Sequence, residues 1–528
     1  MANNRKLALI SVSDKSDLAA FAKGIKRLGF DIVSTGGTAE FLRKAGIKVI
    51  EVQDLTGYPK MLEGRVKSLH PAIFSGILAD RAKKSHMKDL KTYKIRPIDI
   101  VVCNLYPFEQ VTSRQKFSHE EAIENIDIGG PSMVRAAAKN YKDVAIIVDP
   151  ADYRIIISEL NKKGGKLSIQ TREMLASKAF SHTKRYDSLI SLYFRGRTSM
   201  PAGREKTEEK PGLPAEIDLF LQKIQDLRYG ENPHQRGAFY RELGAKGACI
   251  TGLKQLHGKE LSFNNIYDIE AAWQTVNYFA LPTVAIIKHT NPCGVGQADK
   301  IVHAYKKAYA SDPVSAYGSV IAANKIVDEE MVRAMGDLFV EAIIAPEFDK
   351  KALRALKQKK NLRIIEMGKG SANKACVGLD YKRVSGGFLV QDPDSLELTV
   401  SDIKVVSKKQ PSVSEIEDMF FAWGVVKFVR SNAIVVTKGR QTLGIGAGQM
   451  SRVDSSEIAL KKAGTLAKGA VLASDAFFPF RDSIDLAAKA GISAVIETGG
   501  SIRDEEVIAA ANEHNIALVF TGRRHFRH

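Results

Sequence analysis

The chain has 528 residues, 44% hydrophobic and 26% charged, which is ordinary globular composition and enough length for two to four domains. No apolar run approaches the ~18 residues of a membrane span. The apolar stretch Leu7–Ile10 is too short for a secretory core, so a cytoplasmic protein with no membrane partner is expected. The net charge of +18 is uneven: residues 1–200 hold 34 Lys and Arg against 21 Asp and Glu, a surplus of +13, and the remainder carries +5. A basic first domain suits anionic substrates or nucleic acid.

In chain order, Leu7–Val12 reads as a first strand. Leu18, Phe21, Ala22, Ile25 and Leu28 come next at helical spacing, closed by Gly29. Phe30–Val33 is a second strand, and Thr35-Gly36-Gly37-Thr38 turns into a helix from about Ala39, ended by Gly46. Ile47–Val52, Ile98–Cys103 and Val144–Val148 are further strands. This alternation predicts a doubly wound parallel sheet covered by helices. A helix ends near Arg197, and the Pro-, Gly- and charge-rich stretch after it marks a linker. The expected division is a first domain over 1–198, a linker over 199–214 and a second domain over 215–528. In the second domain, strand-like runs at Val284–Ile287, Val320–Ala323, Ala433–Val436, Val471–Ala473, Ala494–Ile496 and Ala517–Phe520 alternate with helical patterns, again α/β.

Ligands of open α/β sheets sit beyond the carboxyl ends of the strands. Three such ends in the first domain are polar or glycine-rich: Ser13-Asp14-Lys15, Thr35-Gly36-Gly37-Thr38, and Asn104 with Tyr106. Paired glycines let backbone N–H groups approach an oxyanion at a helix start, and Lys15 adds a cation. Neither G-x-x-x-x-G-K-[ST] nor G-x-G-x-x-G is present, so neither ATP nor a dinucleotide is implied. Two further strings are dense in chemistry: Gly64-Arg65-Val66-Lys67-Ser68-Leu69-His70-Pro71, and Glu124 to Asn140 with Asp127, Ile128, Gly129, Gly130 and Lys139. The second opens a helix at Gly-Gly-Pro, with Lys139 expected one or two turns in.

These strings resemble the cyclohydrolase half of the bifunctional AICAR transformylase/IMP cyclohydrolase family, whose first domain has a methylglyoxal-synthase-like fold. Thr35 and Ser68 stand where the pattern has serine and threonine, and both keep a hydroxyl. The resemblance implies that Ser13, Asp14, Lys15, Thr35–Thr38, Arg65, Ser68, Asn104, Ile128 and Gly129 bind the nucleotide. It implies that Lys67, Tyr106, Asp127 and Lys139 carry ring closure.

In the second domain, Lys288-His289-Thr290-Asn291-Pro292-Cys293-Gly294 succeeds the strand run Val284–Ile287, which puts a base and a cation at a strand's carboxyl end. This string, Arg228-Tyr229-Gly230, Ser311–Gly318, Ser431–Val435, Gly444–Arg452, Ser474–Asp482 and the terminal Arg524–His528 resemble the transformylase half, of cytidine-deaminase-like fold. The resemblance implies formyl transfer from 10-formyltetrahydrofolate to AICAR, then closure of formyl-AICAR to IMP. His289 would be the base and Lys288 the transition-state cation. Arg228, Tyr229, Asp312, Asn432, Arg452 and Arg524 would hold AICAR. Val453, Phe477, Ser501 and Ile502 would meet the folate. The family works as a homodimer with shared transformylase sites, uses no catalytic metal, and sometimes holds a structural potassium ion.

Two rivals are weighed. A nucleic-acid-binding protein would explain the charge, yet no helix-turn-helix, zinc finger or aromatic RNP signature is present. A zinc deaminase needs H-x-E and then P-C-x-x-C; Pro292-Cys293 meets Gly296 at the second cysteine position, and His289-Thr-Asn lacks the glutamate. The four scattered cysteines suggest isolated reduced thiols rather than a framework.

Overall fold

The computed structural model describes residues 5–59, 61–62, 66–114, 116–198, 212–243, 245, 247–371 and 378–528. The expected binder Arg65 and most of the linker lie outside the described residues. The chain forms two compact units, Met1–Asp218 and Leu219–His528.

In the first unit, β1 (Leu7–Ser11), β2 (Asp31–Ser34), β3 (Ile50–Glu51), β4 (Ile100–Cys103) and β5 (Ala145–Ile147) form one sheet in the order β3-β2-β1-β4-β5. Every pairing is parallel. Strand residues alternate between two apolar cores, one per face, as the pleat requires. Leu7, Leu9, Val101 and Ile146 enter one, and Ala8, Ile10, Val102 and Ile147 the other. The helix Leu18–Arg27 buries Leu18, Phe21, Ala22 and Ile25, the stripe read from the sequence. The helix Gly129–Lys139 buries Met133, Val134 and Ala136–Ala138 on the opposite face.

Two expectations in this unit are corrected. The second helix starts at Gly36, not near Ala39, because Gly36 adopts φ +55° and the chain curls at once. The third strand is only Ile50–Glu51, because Glu51 and Asp54 form a reciprocal capping box that starts a helix at Val52.

The second unit begins with a hairpin, β6 (Leu221–Leu227) and β7 (Gly237–Glu242). One six-stranded sheet contains β8 (Lys254–His257), β9 (Thr283–Lys288), β10 (Asn291–Gln297), β11 (Ser319–Ala323), β12 (Val340–Ala345) and β13 (Arg363–Glu366), in the order β10-β9-β11-β12-β13-β8. After a second hairpin, β14 (Asp380–Val384) and β15 (Gly387–Gln391), comes another six-stranded sheet. It holds β16 (Lys404–Val405), β17 (Ile434–Thr437), β18 (Thr442–Gly446), β19 (Val471–Ser474), β20 (Ala494–Glu497) and β21 (Ala517–Phe520), in the order β16-β21-β20-β19-β17-β18.

The two sheets share one plan: an antiparallel pair at one edge, three parallel strands, then a short antiparallel edge strand. Each half carries a Gly-x-Gly on its second strand. A Cβ on Gly294 or Gly296 would stand 2.1 Å from Ala308 O or 2.4 Å from Ala304 O. One on Gly444 or Gly446 would stand 2.0 Å from Ala459 O or Ser455 O. The helices Ile301–Ser311 and Arg452–Ala463 therefore lie directly on strand backbone. A common core holds the inner faces of both sheets and the helices Phe263–Asn277 and Val413–Val426, with Trp273 and Trp423 inside it.

No helix among the described residues is long and apolar enough to cross a membrane. Cys103 and Cys293 are free, as expected for scattered thiols, but Cys249 is disulfide-bonded.

Candidate functional sites at the strand ends

In the first unit the three polar strand ends meet. Asn104, past β4, accepts the N–H groups of Ser13 (2.6 Å) and Asp14 (3.0 Å) and returns its amide to Asp14 O (3.0 Å). The Thr38 hydroxyl donates to Val12 O (2.9 Å) and accepts from Val12 N–H (3.1 Å), so it ties the second helix to β1. Thr35 is extended at the N-cap and its side chain caps nothing, which leaves the first N–H groups of that helix without a side-chain acceptor. A Cβ on Gly36 would lie 3.2 Å from Lys67 Nζ, so this ammonium stands over the helix start. Together they make an anion seat. Lys15 bends back to Ser13 O at 3.3 Å. A groove beside the seat is lined by Thr35, Gly36, Glu40, Arg43, Glu51 and Lys67, among others.

A second helix start faces the same ammonium. Asp127 Oδ1 accepts Gly130 N–H at 2.8 Å. Tyr186 fixes the loop beneath, accepting Asp127 N–H and donating to Asn125 O, both at 2.8 Å. A Cβ on Gly129 would lie 2.6 Å from Ser68 Oγ. Burial raises the Asp127 carboxyl above the usual range, although Gly130 N–H, Lys67 and Tyr106 N–H pull it down. Burial and the Asp127 charge also raise the Tyr106 phenol. Lys67, Ser68, Tyr106, Asp127 and Gly129 are thus one constellation, with Ile128 exposed at its edge.

Lys139 does not join it. It is the last residue of the helix Gly129–Lys139, not one or two turns in, and is exposed. Ten steps of ~1.5 Å put it roughly 15 Å along the helix from Gly129.

In the second unit, His289 (φ +52°) and Thr290 (φ +60°) are the two corner residues between β9 and β10, where Lys288 pairs with Asn291. Two left-handed corners make the tight hairpin turn normally occupied by Asn-Gly. Each non-glycine residue there costs about 1–2 kcal/mol. The offset is Asp268, on the helix Phe263–Asn277: its carboxylate accepts Thr290 N–H at 2.7 Å. A hydrogen bond to a charged acceptor is worth about 1.5–3 kcal/mol, which offsets much of that cost. Lys288 Nζ donates to Tyr317 O at 2.9 Å.

Arg430 links this turn to the second sheet. Its N–H donates to Asn291 Oδ1 (3.1 Å) and its Nε to Thr290 Oγ1 (3.4 Å). Two residues on, Asn432 Oδ1 accepts from Arg452 at 2.8 Å. Arg452 is buried, and its guanidinium also holds Ser474 Oγ (2.8 Å) and the Asp475 carboxylate. Most of this guanidinium is therefore committed inside the protein. Asp312 accepts from Lys462 (2.7 Å) and twice from Ser315, which holds its carboxyl below the usual range despite burial. Arg228 and Arg524 are exposed, lying over the rings of Tyr229 and Phe526. His525, beside Arg524, is buried and bonded to Asp394.

The expected folate contacts divide by exposure. Ile502 projects fully into solvent and Phe477 is 37% exposed. Val453 is the second residue of the helix Arg452–Ala463. Ser501 lies in a turn whose N–H donates to Asp504 at 2.9 Å. Among the described residues no group of three or more His, Cys, Asp and Glu is placed to hold a metal ion.

A family model described as the AICARFT/IMPCHase bienzyme matches residues 137–462, more than half of the chain. The chain belongs to this family. An MGS-like domain model matches residues 17–132, over the first unit. The bifunctional purine biosynthesis protein PurH of Acetivibrio thermocellus is 50% identical over 523 residues, covering 99% of this chain and 100% of that protein. PurH of Ruminiclostridium cellulolyticum is 48% identical over the same shares. A solved structure, the crystal structure of ForH, is 36% identical and covers 36% of this chain and 100% of its own, at a TM-score of 0.34. As a member of the bienzyme family this chain is a bifunctional formyltransferase and cyclohydrolase of the last two steps of purine biosynthesis.

Three residues of the bienzyme's strand-end regions were not read from the sequence. Asp268 sits mid-helix among apolar residues and carries no motif. Tyr186 lies 59 positions from the Asp127 loop it supports. Glu497, fully buried at the end of β20, accepts Phe478 N–H on Oε2 at 2.8 Å, while Oε1 has no partner among the described residues. Burial, helped by the Asp504 charge, pushes its carboxyl up to about 8.

Proposed function

We propose that the two activities occupy separate sites, ring closure in a cyclohydrolase domain over 1–198 and formyl transfer in a transformylase domain over 215–528, joined by 199–214. The cosubstrate is 10-formyltetrahydrofolate, and the working form is a cytoplasmic homodimer with shared transformylase sites. The exposed apolar side chains Val314, Tyr317, Met450 and Ile502 near that site support a partner surface.

In formyl transfer, the 5-amino nitrogen of AICAR attacks the formyl carbon of the cosubstrate. His289 takes the amine proton as the bond forms. Lys288 stabilises the oxyanion of the tetrahedral intermediate. The bond to the tetrahydrofolate nitrogen breaks and that nitrogen takes up a proton, giving formyl-AICAR and tetrahydrofolate. Arg228, Tyr229, Asp312, Asn432, Arg452 and Arg524 hold AICAR. Since Arg452 is largely spent on Asp475, its part is to orient Asn432. Val453, Phe477, Ser501 and Ile502 meet the folate.

In ring closure, the nucleotide phosphate sits on the helix start at Gly36–Thr38, with Ser13, Asp14, Lys15, Arg65, Ser68 and Asn104 around it. The carboxamide nitrogen attacks the formyl carbon of the same molecule, so positioning supplies much of the rate. Asp127 orients the carboxamide, Lys67 holds the developing oxyanion, and Tyr106 moves protons as water leaves. Ile128 and Gly129 line the pocket. Lys139, remote within its own chain, serves as a proton donor only if supplied by a second subunit. No step passes through the structural potassium ion that the resemblance allows.

The observation that carries this scheme is the His289 turn, a strained corner that places an imidazole beside a lysine at a strand end. Mixing the chain with AICAR and 10-formyltetrahydrofolate is expected to yield IMP. Accumulation of neither formyl-AICAR nor IMP would overturn it.

A further inference from the structure

Asp268 is half-buried and faces the hairpin tip, where its carboxylate accepts the N–H of the second corner residue, Thr290, at 2.7 Å. Neither corner is glycine, and Thr290 is β-branched, a residue type that avoids the left-handed region. A threonine there returns to ordinary φ unless something external holds it. Arg430 holds the same corner from the side, its Nε donating to Thr290 Oγ1 and its Nη2 to the Tyr267 hydroxyl. The backbone direction at residue 289 sets where the imidazole points, so whatever fixes the corner aims the ring.

We propose that Asp268 is the positioning residue of the formyl-transfer site: its carboxylate, by taking the Thr290 N–H, locks the left-handed His289-Thr290 turn and so aims the His289 imidazole at the substrate amine. This rests on reading His289 as the base. Asp268 itself touches no substrate. The closeness of the imidazole to the carboxylate also favours the ionised form of Asp268, which opposes the effect of its burial.

The test uses the full-length chain and measures formyl transfer and, on supplied formyl-AICAR, ring closure. Asp268→Ala is expected to lower the formyl-transfer kcat by about 100-fold, as a displacement of roughly 1 Å does. The KM for AICAR should hold within about twofold, and ring closure should be unchanged. Asp268→Asn keeps one acceptor and is expected to lie between Asp268→Ala and the parent. The decisive arm is Thr290→Gly in the Asp268→Ala background. Glycine adopts positive φ without cost, so kcat should recover by about tenfold. No recovery would show that Asp268 acts otherwise than through the turn and overturn the proposal. So would an unchanged kcat in Asp268→Ala while His289→Ala is inactive. If His289→Ala itself retains formyl transfer, the base reading falls and the proposal falls with it.

Discussion

Glu497 shows what a single buried group does to the whole fold. Burial pushes its carboxyl up to about 8 in the folded protein, against 4.5 for an ordinary glutamate. The folded form thus resists an ionisation that the unfolded chain undergoes freely. By linkage the cost of burying it is absent below about 4.5, grows as pH rises, and is complete above about 8. Glu497→Gln keeps an acceptor for Phe478 and removes the titration. It is expected to be more stable than the parent at pH 8, by a few kcal/mol at about 1.4 kcal/mol per pKa unit. That advantage should vanish toward pH 4. Urea unfolding across this range reads it, and a pH-independent difference would show that the carboxyl is already ionised in the fold. Gly36 makes a second prediction at this scale. Gly36→Ala puts a side chain at φ +55° and 3.2 Å from Lys67 Nζ. The KM of ring closure for formyl-AICAR should rise about tenfold, with formyl transfer unchanged; an unaltered KM would remove the phosphate from this helix start. Residues in short motifs, such as Gly36, Lys67, Asp127 and His289, were legible because their neighbours announce a turn or strand end. Asp268, Tyr186 and Glu497 were not, because each acts on a segment distant in sequence and stands in an unremarkable local pattern.

Among elements, hydrophobic periodicity located the strands well where both faces are buried. It overran at Ile47–Val52, where a capping box converted an apolar run into a helix start. It misplaced Lys139 because helix length, not composition, decides which side chains share an end. The Gly-x-Gly of β10 and β18 drew no structural reading from the sequence, although both are strand positions on which a helix rests. Substitution there tests the packing. Gly444→Ala would drive a methyl into Ala459 O, a backbone atom that cannot rotate away. Overpacking of this kind costs about 3 kcal/mol. Thermal or urea unfolding should show that loss, whereas Gly448→Ala, with nothing within 4 Å but a positive φ, should lose less. Equal losses would mean that backbone strain, not the helix contact, sets the need for glycine.

At the scale of the molecule, the second unit builds one plan twice, and the proposed formyl-transfer residues come from both halves: His289 from the first, Asn432 and Arg452 from the second. The sequence did not reveal this duplication, since equivalent strands share only burial and the Gly-x-Gly. The division into two reactions was legible through motifs, and the first unit's anion seat through strand-end geometry alone. The central claim is that one chain runs the two reactions at two sites that do not depend on each other. The direct measurement compares Lys67→Ala and His289→Ala, each supplied with AICAR plus 10-formyltetrahydrofolate and, separately, with formyl-AICAR. Lys67→Ala should convert AICAR to formyl-AICAR and stop. His289→Ala should close supplied formyl-AICAR to IMP at the parent rate yet form none from AICAR. Loss of the same step in both variants would contradict the account.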